Sequence, residues 1–134
     1  MANGYVESAG KVDEYLKELK RILCSENFDL DTDIDILFGV VEGSTGYKNA
    51  KTIQELGYNK SDIRNTLLSL TVNDYSETLP DTSNSNLPPL YVFNKMISVK
   101  EVYIKLKIRD REKQQVFCLS FHFAQYPMLK PYSA

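Results

Sequence analysis

Apolar residues at Val12, Leu16, Leu19, Ile22 and Leu23 recur at spacings of three and four, with Glu14, Lys17, Glu18 and Lys20 between them. That period lays one apolar stripe along a helix, and predicts an amphipathic helix from about Lys11 to Cys24. Residues 1–10 carry no period and predict a loose start. From Asn27 to Gly43 aspartates interleave with Leu30, Ile34, Ile36 and Leu37, which predicts a solvated helix start favoured by the helix dipole. After the loop GSTGYKNA (43–50) a short helix is expected from about Asn49 to Leu56, stopped at Gly57, the residue type that accepts a left-handed cap. Ser61 is the expected N-cap of a third helix, with Asp62 in its first turn and Ile63, Leu67, Leu68 and Leu70 as its buried stripe. TVNDYSETLP (71–80) suits a helical turn leading into a strand, and DTSNSNLPP (81–89) is a polar linker.

Beyond the linker the period changes from helical to two. Leu90–Phe93, Val99–Arg109 and Val116–Phe123 read as strands, spaced too closely for parallel crossovers, so an antiparallel meander is expected. The fold class is α+β, with N-terminal helices packed on a C-terminal antiparallel sheet. One domain is expected over 1–134: a helical part at about 11–79, a linker at 80–89, the sheet at about 90–124 and a tail at 125–134.

Val102, Ile104, Leu106 and Ile108 point to one face of the second strand, and Tyr103, Lys105, Lys107 and Arg109 to the other. In the third, Phe117, Leu119, Phe121 and Phe123 form the apolar face and Cys118, Ser120 and His122 the opposite one. The apolar sets must share a side. Pairing Ile108 with Phe117 then sets Leu106 across from Leu119, Ile104 across from Phe121, Lys105 across from Ser120 and Tyr103 across from His122, with a six-residue loop at 110–115.

Charge sharpens this picture. Residues 1–89 hold eight Lys/Arg against fifteen Asp/Glu, net −7, whereas residues 90–134 hold eight against three, net +5. A cationic half on a chain of overall charge −2 suggests a local phosphate-binding surface; lysines that discourage edge pairing of strands are the plainer alternative. A phenol, an imidazole and cations on one wet face suit RNA cleavage. That reaction needs a base for the 2′-hydroxyl, cations for the phosphorane and an acid for the departing 5′-oxygen. Histidine titrates near neutrality, so His122 is the candidate acid or base. Tyr103 assists or stacks on a base, Lys105 is catalytic and holds phosphate, and Lys107, Arg109 and Ser120 bind RNA. Against this stands the ordinary solvated sheet surface, in which a lone histidine and alternating Tyr/Lys carry no chemistry.

Other chemistries lack their residues. The acidic run from Asp29 has no glycine at the sixth position of a calcium loop. The loop at 43–50 lacks the GxxxxGK[ST] order of a phosphate cradle, and one histidine with separated Cys24 and Cys118 makes no zinc ligand set. No metal and no cofactor are expected. The charged first thirty residues leave no apolar stretch for a signal or a span, so a cytoplasmic protein with reduced thiols and no membrane partner is expected.

IQELGY (53–58), IRNTLLSLTVNDYSETL (63–79), EVYIKLKI (101–108) and VFCLSFHFA (116–124) together resemble the MqsR-type toxins of type II toxin–antitoxin systems, which are RelE-like ribonucleases. The resemblance implies a RelE-like fold, metal-independent cleavage of mRNA, inhibition of translation and growth, and a cognate antitoxin. It maps the family's strand tyrosine onto Tyr103 and the lysine that follows onto Lys105. Where the family's last strand ends Ser-Phe-Lys this chain has Ser120, Phe121 and His122. Where the family has a lysine after Asp-Phe-Tyr, this chain has Glu77, and the family's Trp-Gln pair is absent from residues 89–92. The alternative is a non-catalytic module of the same fold, regulatory or phage-derived, that binds nucleic acid or protein.

Overall fold

In the computed structural model, which describes residues 4–81, 87–110 and 113–133, Ser8 opens helix α1 (Ala9–Leu23) by accepting a bond from the Lys11 amide. Val12, Leu16, Leu19, Ile22 and Leu23 are all buried along it, as the three-and-four spacing predicts. The acidic run that follows is not a helix. The Asp31 amide donates to Asp29 Oδ1 at 2.9 Å and the Asp29 amide to Asp33 Oδ2 at 2.8 Å, and such local aspartate bonds compete with helical ones. The chain turns there and enters a three-residue strand, β1 (Ile34–Ile36), whose two isoleucines are buried.

Helix α2 (Thr45–Leu56) starts four residues earlier than expected because Ser44 caps it. Gly46 is required at this start, since a Cβ there would lie 2.6 Å from the Gly39 nitrogen. The helix ends at Gly57 with φ 68°, the left-handed cap expected of that residue. Helix α3 (Lys60–Leu68) is capped by Asn59 and not Ser61: the Asn59 side chain accepts from the Asp62 amide, and the Asp62 carboxylate accepts from the Asn59 amide. This reciprocal pair satisfies two otherwise orphaned donors, one more than an isolated serine cap would.

A 3-10 turn at Val72–Asp74 leads into β2 (Tyr75–Leu79), followed by β3 (Leu90–Ile97), β4 (Lys100–Asp110) and β5 (Gln114–Phe123). The sheet order is β1-β5-β4-β3-β2. Pairing from β2 through β5 is antiparallel, and β1 adds a short parallel edge beside β5. The sheet is therefore mixed: the turn and strand expected within 71–80 join the three-stranded meander as its outer strand β2, and β1 is the strand not read from the sequence. The polar linker falls partly on residues 82–86, and the β4–β5 loop on 111 and 112, which lie outside the described residues. N-terminal residues are not wholly loose, since Tyr5 bridges Thr78 at the β2 edge through bonds of 2.9 and 2.8 Å.

The stripes of α1 and α3 meet one sheet face in a single cluster that includes Leu16, Leu19, Ile63, Leu67, Phe93, Ile104, Leu106 and Phe121. The other face, bearing Tyr103 and His122, is left to the site.

Candidate functional site

Side chains on this outer face fall into rows across the strands. Asn94, Tyr103 and His122 form one row on β3, β4 and β5; Glu77, Val92, Lys105 and Ser120 form the next, from β2 to β5. Tyr103 lies opposite His122, Lys105 opposite Ser120 and Ile104 opposite Phe121, as the hydrophobic alternation requires.

Past that point the expected register fails. Leu106 faces Cys118 and Ile108 faces Val116, with an irregularity in the pairing after Lys105, because β5 carries an extra residue at Leu119. A bulge of this kind shifts every later side chain to the other face. Cys118 is fully buried in the core instead of outward-facing, and Phe117 lies outward under the Arg109 guanidinium, 3.9 Å from its ring centre.

The bulge is held from α2 by a residue the sequence reading passed over. Asn49 is fully buried. Its amide nitrogen donates to the carbonyls of Leu37 and Leu119, both at 2.9 Å, and its oxygen accepts from the Phe121 amide at 2.8 Å. Thr52, one turn on, accepts from the Phe123 amide at 3.2 Å. Two helix side chains thus bond the β5 backbone beyond the end of β1, where buried peptide groups need partners. The only signal in the sequence was two polar residues on one helical face, spaced by three.

Tyr103 and His122 stack, with ring centres 5.4 Å apart and planes 13° from parallel. His122 Nδ1 lies 3.0 Å from the Phe123 carbonyl oxygen. A carbonyl only accepts, so Nδ1 carries the proton in the neutral ring and Nε2 keeps its lone pair. Burial lowers the His122 pKa below the usual histidine value, and Lys48 and Lys105 push the same way against the Phe123 bond. The neutral ring is therefore favoured. Burial also lowers the Lys105 pKa, opposed by Glu77, and raises that of Tyr103, helped by Glu77.

Tyr103, Lys105, Ser120 and His122 share a cleft of about 590 Å³ with Ser76, Glu77, Thr45 at the head of α2, and segments 4–6 and 124–131. Lys107 and Arg109 share the face but do not line this cleft. Lys107 pairs with Asp81 at 2.9 Å with both side chains largely buried, and Arg109 pairs with Asp35 at 3.6 Å. Alternation identified these cations, but their carboxylate partners lie 26 and 74 residues away along the chain and are not legible from it. Asn94, next to Tyr103, is 1% exposed, and neither amide atom has a hydrogen-bond partner among the described residues.

Among the described residues no group of three or more His, Cys, Asp and Glu is arranged to hold a metal ion. No described helix is long and apolar enough to cross a membrane. A family model described as "Motility quorum-sensing regulator, toxin of MqsA" matches residues 41–123, a span that includes α2, α3, β2–β5 and all four residues on the cleft floor. No curated protein and no solved structure matches the chain.

Proposed function

The chain belongs to the motility quorum-sensing regulator (MqsR) family and is the toxin of a toxin–antitoxin pair; from that premise we propose that it is a metal-independent endoribonuclease that cuts mRNA and so blocks translation and growth. The observation that carries the reading is the stacked Tyr103–His122 pair beside Lys105 on the floor of one cleft.

In this reading His122 Nε2 takes the proton of a ribose 2′-hydroxyl, for which a neutral ring with a free Nε2 lone pair is suited. The 2′-oxygen attacks the adjacent phosphorus, and the Lys105 ammonium stabilises the charge that builds on the phosphorane. The bond to the 5′-oxygen breaks, and Lys105, made a stronger acid by burial, supplies the proton to that leaving oxygen. The products are a 2′,3′-cyclic phosphate and a 5′-hydroxyl. Tyr103 fixes the imidazole plane by stacking and keeps its phenol proton, since burial raises its pKa. Ser120 lies across from Lys105 but is only 1% exposed, so, against the sequence expectation that it binds RNA, it supports the cleft floor and leaves the phosphate to Lys105. Lys107 and Arg109 already hold carboxylates, so they engage flanking phosphates only by exchanging those partners. The cognate antitoxin covers this face in the resting pair, and the protein acts in the cytoplasm.

Purified chain with single-stranded RNA and excess chelator tests the reading. Cutting is expected to persist with chelator and to fall on the order of 10²–10⁴-fold in His122→Ala, the usual worth of a general base, with a smaller fall in Tyr103→Ala, which removes the stacking ring, and little change in Tyr103→Phe, which keeps it. Undiminished cutting by His122→Ala removes the proposed site. A non-catalytic binding module is the second reading, favoured by Glu77, an acid standing in the cleft; a parent chain that binds RNA without cutting it supports that one.

A further inference from the structure

The cleft floor lies within residues 41–123, which the family model matches, but two of its walls come from outside them: residues 4–6 on one side and 124–129 with Pro131 on the other. Both wall segments are tethered. Tyr5 bridges Thr78; Tyr132 donates to the Glu7 carbonyl and stacks on Tyr75 with ring centres 6.0 Å apart; Lys130 lies 3.9 Å from Asp74. Between these tethers most of the cleft-lining side chains are apolar, Gln125 being the polar exception, and several are well exposed: Tyr5 43%, Val6 55%, Tyr126 78% and Leu129 84%. Exposed apolar surface gathered around one concavity marks a binding surface rather than scattered exposure.

Charge divides the same cleft. His122 lies at the β5 side with Lys48 and Lys105 close enough to shift its titration. Glu77 lies two strands from Lys105 on the β2 side. Its carboxylate rests against Gly4, where a Cβ would stand 2.0 Å from Glu77 Oε1, so Gly4 makes the space that the carboxylate fills. A phosphate is attracted to the first end and repelled from the second. The second end suits a group with a flat apolar face and N–H donors on its edge, which describes a nucleobase.

We propose that residues 4–6, 124–129 and Pro131 wall a subsite for one unpaired nucleobase, stacked on the apolar segment with its donor edge toward Glu77. The proposal rests on RNA being the substrate of the cleft. A base paired in a duplex presents neither its face nor its Watson–Crick edge, and a duplex stem is therefore excluded from productive binding.

The full chain and a Tyr126→Ala/Leu129→Ala variant test this, because both side chains are exposed and their removal leaves the core untouched. Binding is read by fluorescence anisotropy with a single-stranded oligonucleotide whose 2′-hydroxyls are replaced by hydrogen, and cutting with the unmodified strand, free or held in a hairpin stem. The expected result is roughly tenfold weaker binding by the variant, within the range for loss of base stacking, with a matching rise in KM, unchanged kcat, and a stem cut at least about tenfold more slowly than the free strand. Unchanged affinity in the variant, equal cutting of stem and strand, or loss of antitoxin binding without loss of oligonucleotide affinity overturns it. A parent chain that binds the strand through these residues but does not cut retains the subsite and removes the ribonuclease reading. A parent that binds no strand overturns the subsite itself.

Discussion

Replacing Asn49 by leucine is the most informative perturbation of this molecule. The change keeps the side-chain volume roughly constant and removes three hydrogen bonds of 2.8–2.9 Å, leaving the Leu37 and Leu119 carbonyls and the Phe121 amide without their partner. A typical intramolecular hydrogen bond contributes about 1 kcal/mol net, and a buried polar group left unpaired costs ~1–3 kcal/mol. Three such groups at a fully buried position, partly relieved by backbone adjustment, give an expected loss of about 3–5 kcal/mol. Against total stabilities of ~5–15 kcal/mol for domains generally, that is a large fraction. It corresponds to a drop in melting temperature on the order of 10–20 °C for a chain of this size. Thr52→Val supplies the internal scale, because it removes the one bond to the Phe123 amide and is expected to cost about 1 kcal/mol. The assay is urea unfolding of the two variants and the parent, with amide hydrogen exchange at Phe121 and Phe123 as the local readout. Faster exchange at Phe121 in Asn49→Leu, and at Phe123 in Thr52→Val, is expected. If Asn49→Leu loses less than about 1 kcal/mol and Phe121 stays protected, Asn49 does not hold the bulge and the account of how β5 aims His122 is wrong.

Four further expectations follow from the structure. The rate of RNA cutting should fall with acid as His122 takes up a proton, with a midpoint below the usual histidine value of 6.5; an acid limb centred above 6.5, or none, refutes a buried neutral imidazole as the base. The same downward shift means the unfolded chain binds this proton more readily than the folded one, so stability should decline as pH drops below the unfolded histidine value of roughly 6.5, and His122→Gln should flatten that decline. Lys105→Ala should weaken RNA binding more than Lys107→Ala, while Lys107→Ala should destabilise the fold more, because Lys107 and Asp81 are a largely buried pair and removing one partner strands the other charge; equal effects on binding, read by salt-dependent titration, would falsify the division of roles. The β3–β4 turn places Ser98 at φ 52° and Val99 at φ 60°, a left-handed region that a β-branched residue adopts at a cost of ~1–2 kcal/mol. Val99 is 91% exposed, so Val99→Gly should raise stability by about 1 kcal/mol in chemical unfolding, and a loss of stability would show that the turn is not strained.

Local pattern was enough for α1, for the cap at Gly57, for the α+β order and for the central pairing of Tyr103 with His122, because each depends on residues a few positions apart. A stripe repeating every three or four residues has one stable solution, and a strand alternating Val102, Ile104 and Leu106 with Tyr103 and Lys105 has two faces whatever it packs against. The aspartates around β1 misled because the same residue types serve both a helix start and a bonded turn, and the choice lay with Val116, Phe117 and Cys118 of β5, more than eighty positions away along the sequence.

Tertiary structure alone decided the rest. The extra residue at Leu119, which turned Cys118 inward and Phe117 outward, is stabilised by an asparagine on a helix seventy residues earlier, and no periodicity within β5 records that partner. Which cations remain available was likewise decided by Asp81 and Asp35 closing on Lys107 and Arg109. The sequence by itself determined which side chains share a face wherever a strand runs unbroken, as in β4, since that follows from bond geometry. Where the register slips, which charges are already paired and what walls the cleft depend on contacts between distant segments, which exist only once the chain has folded.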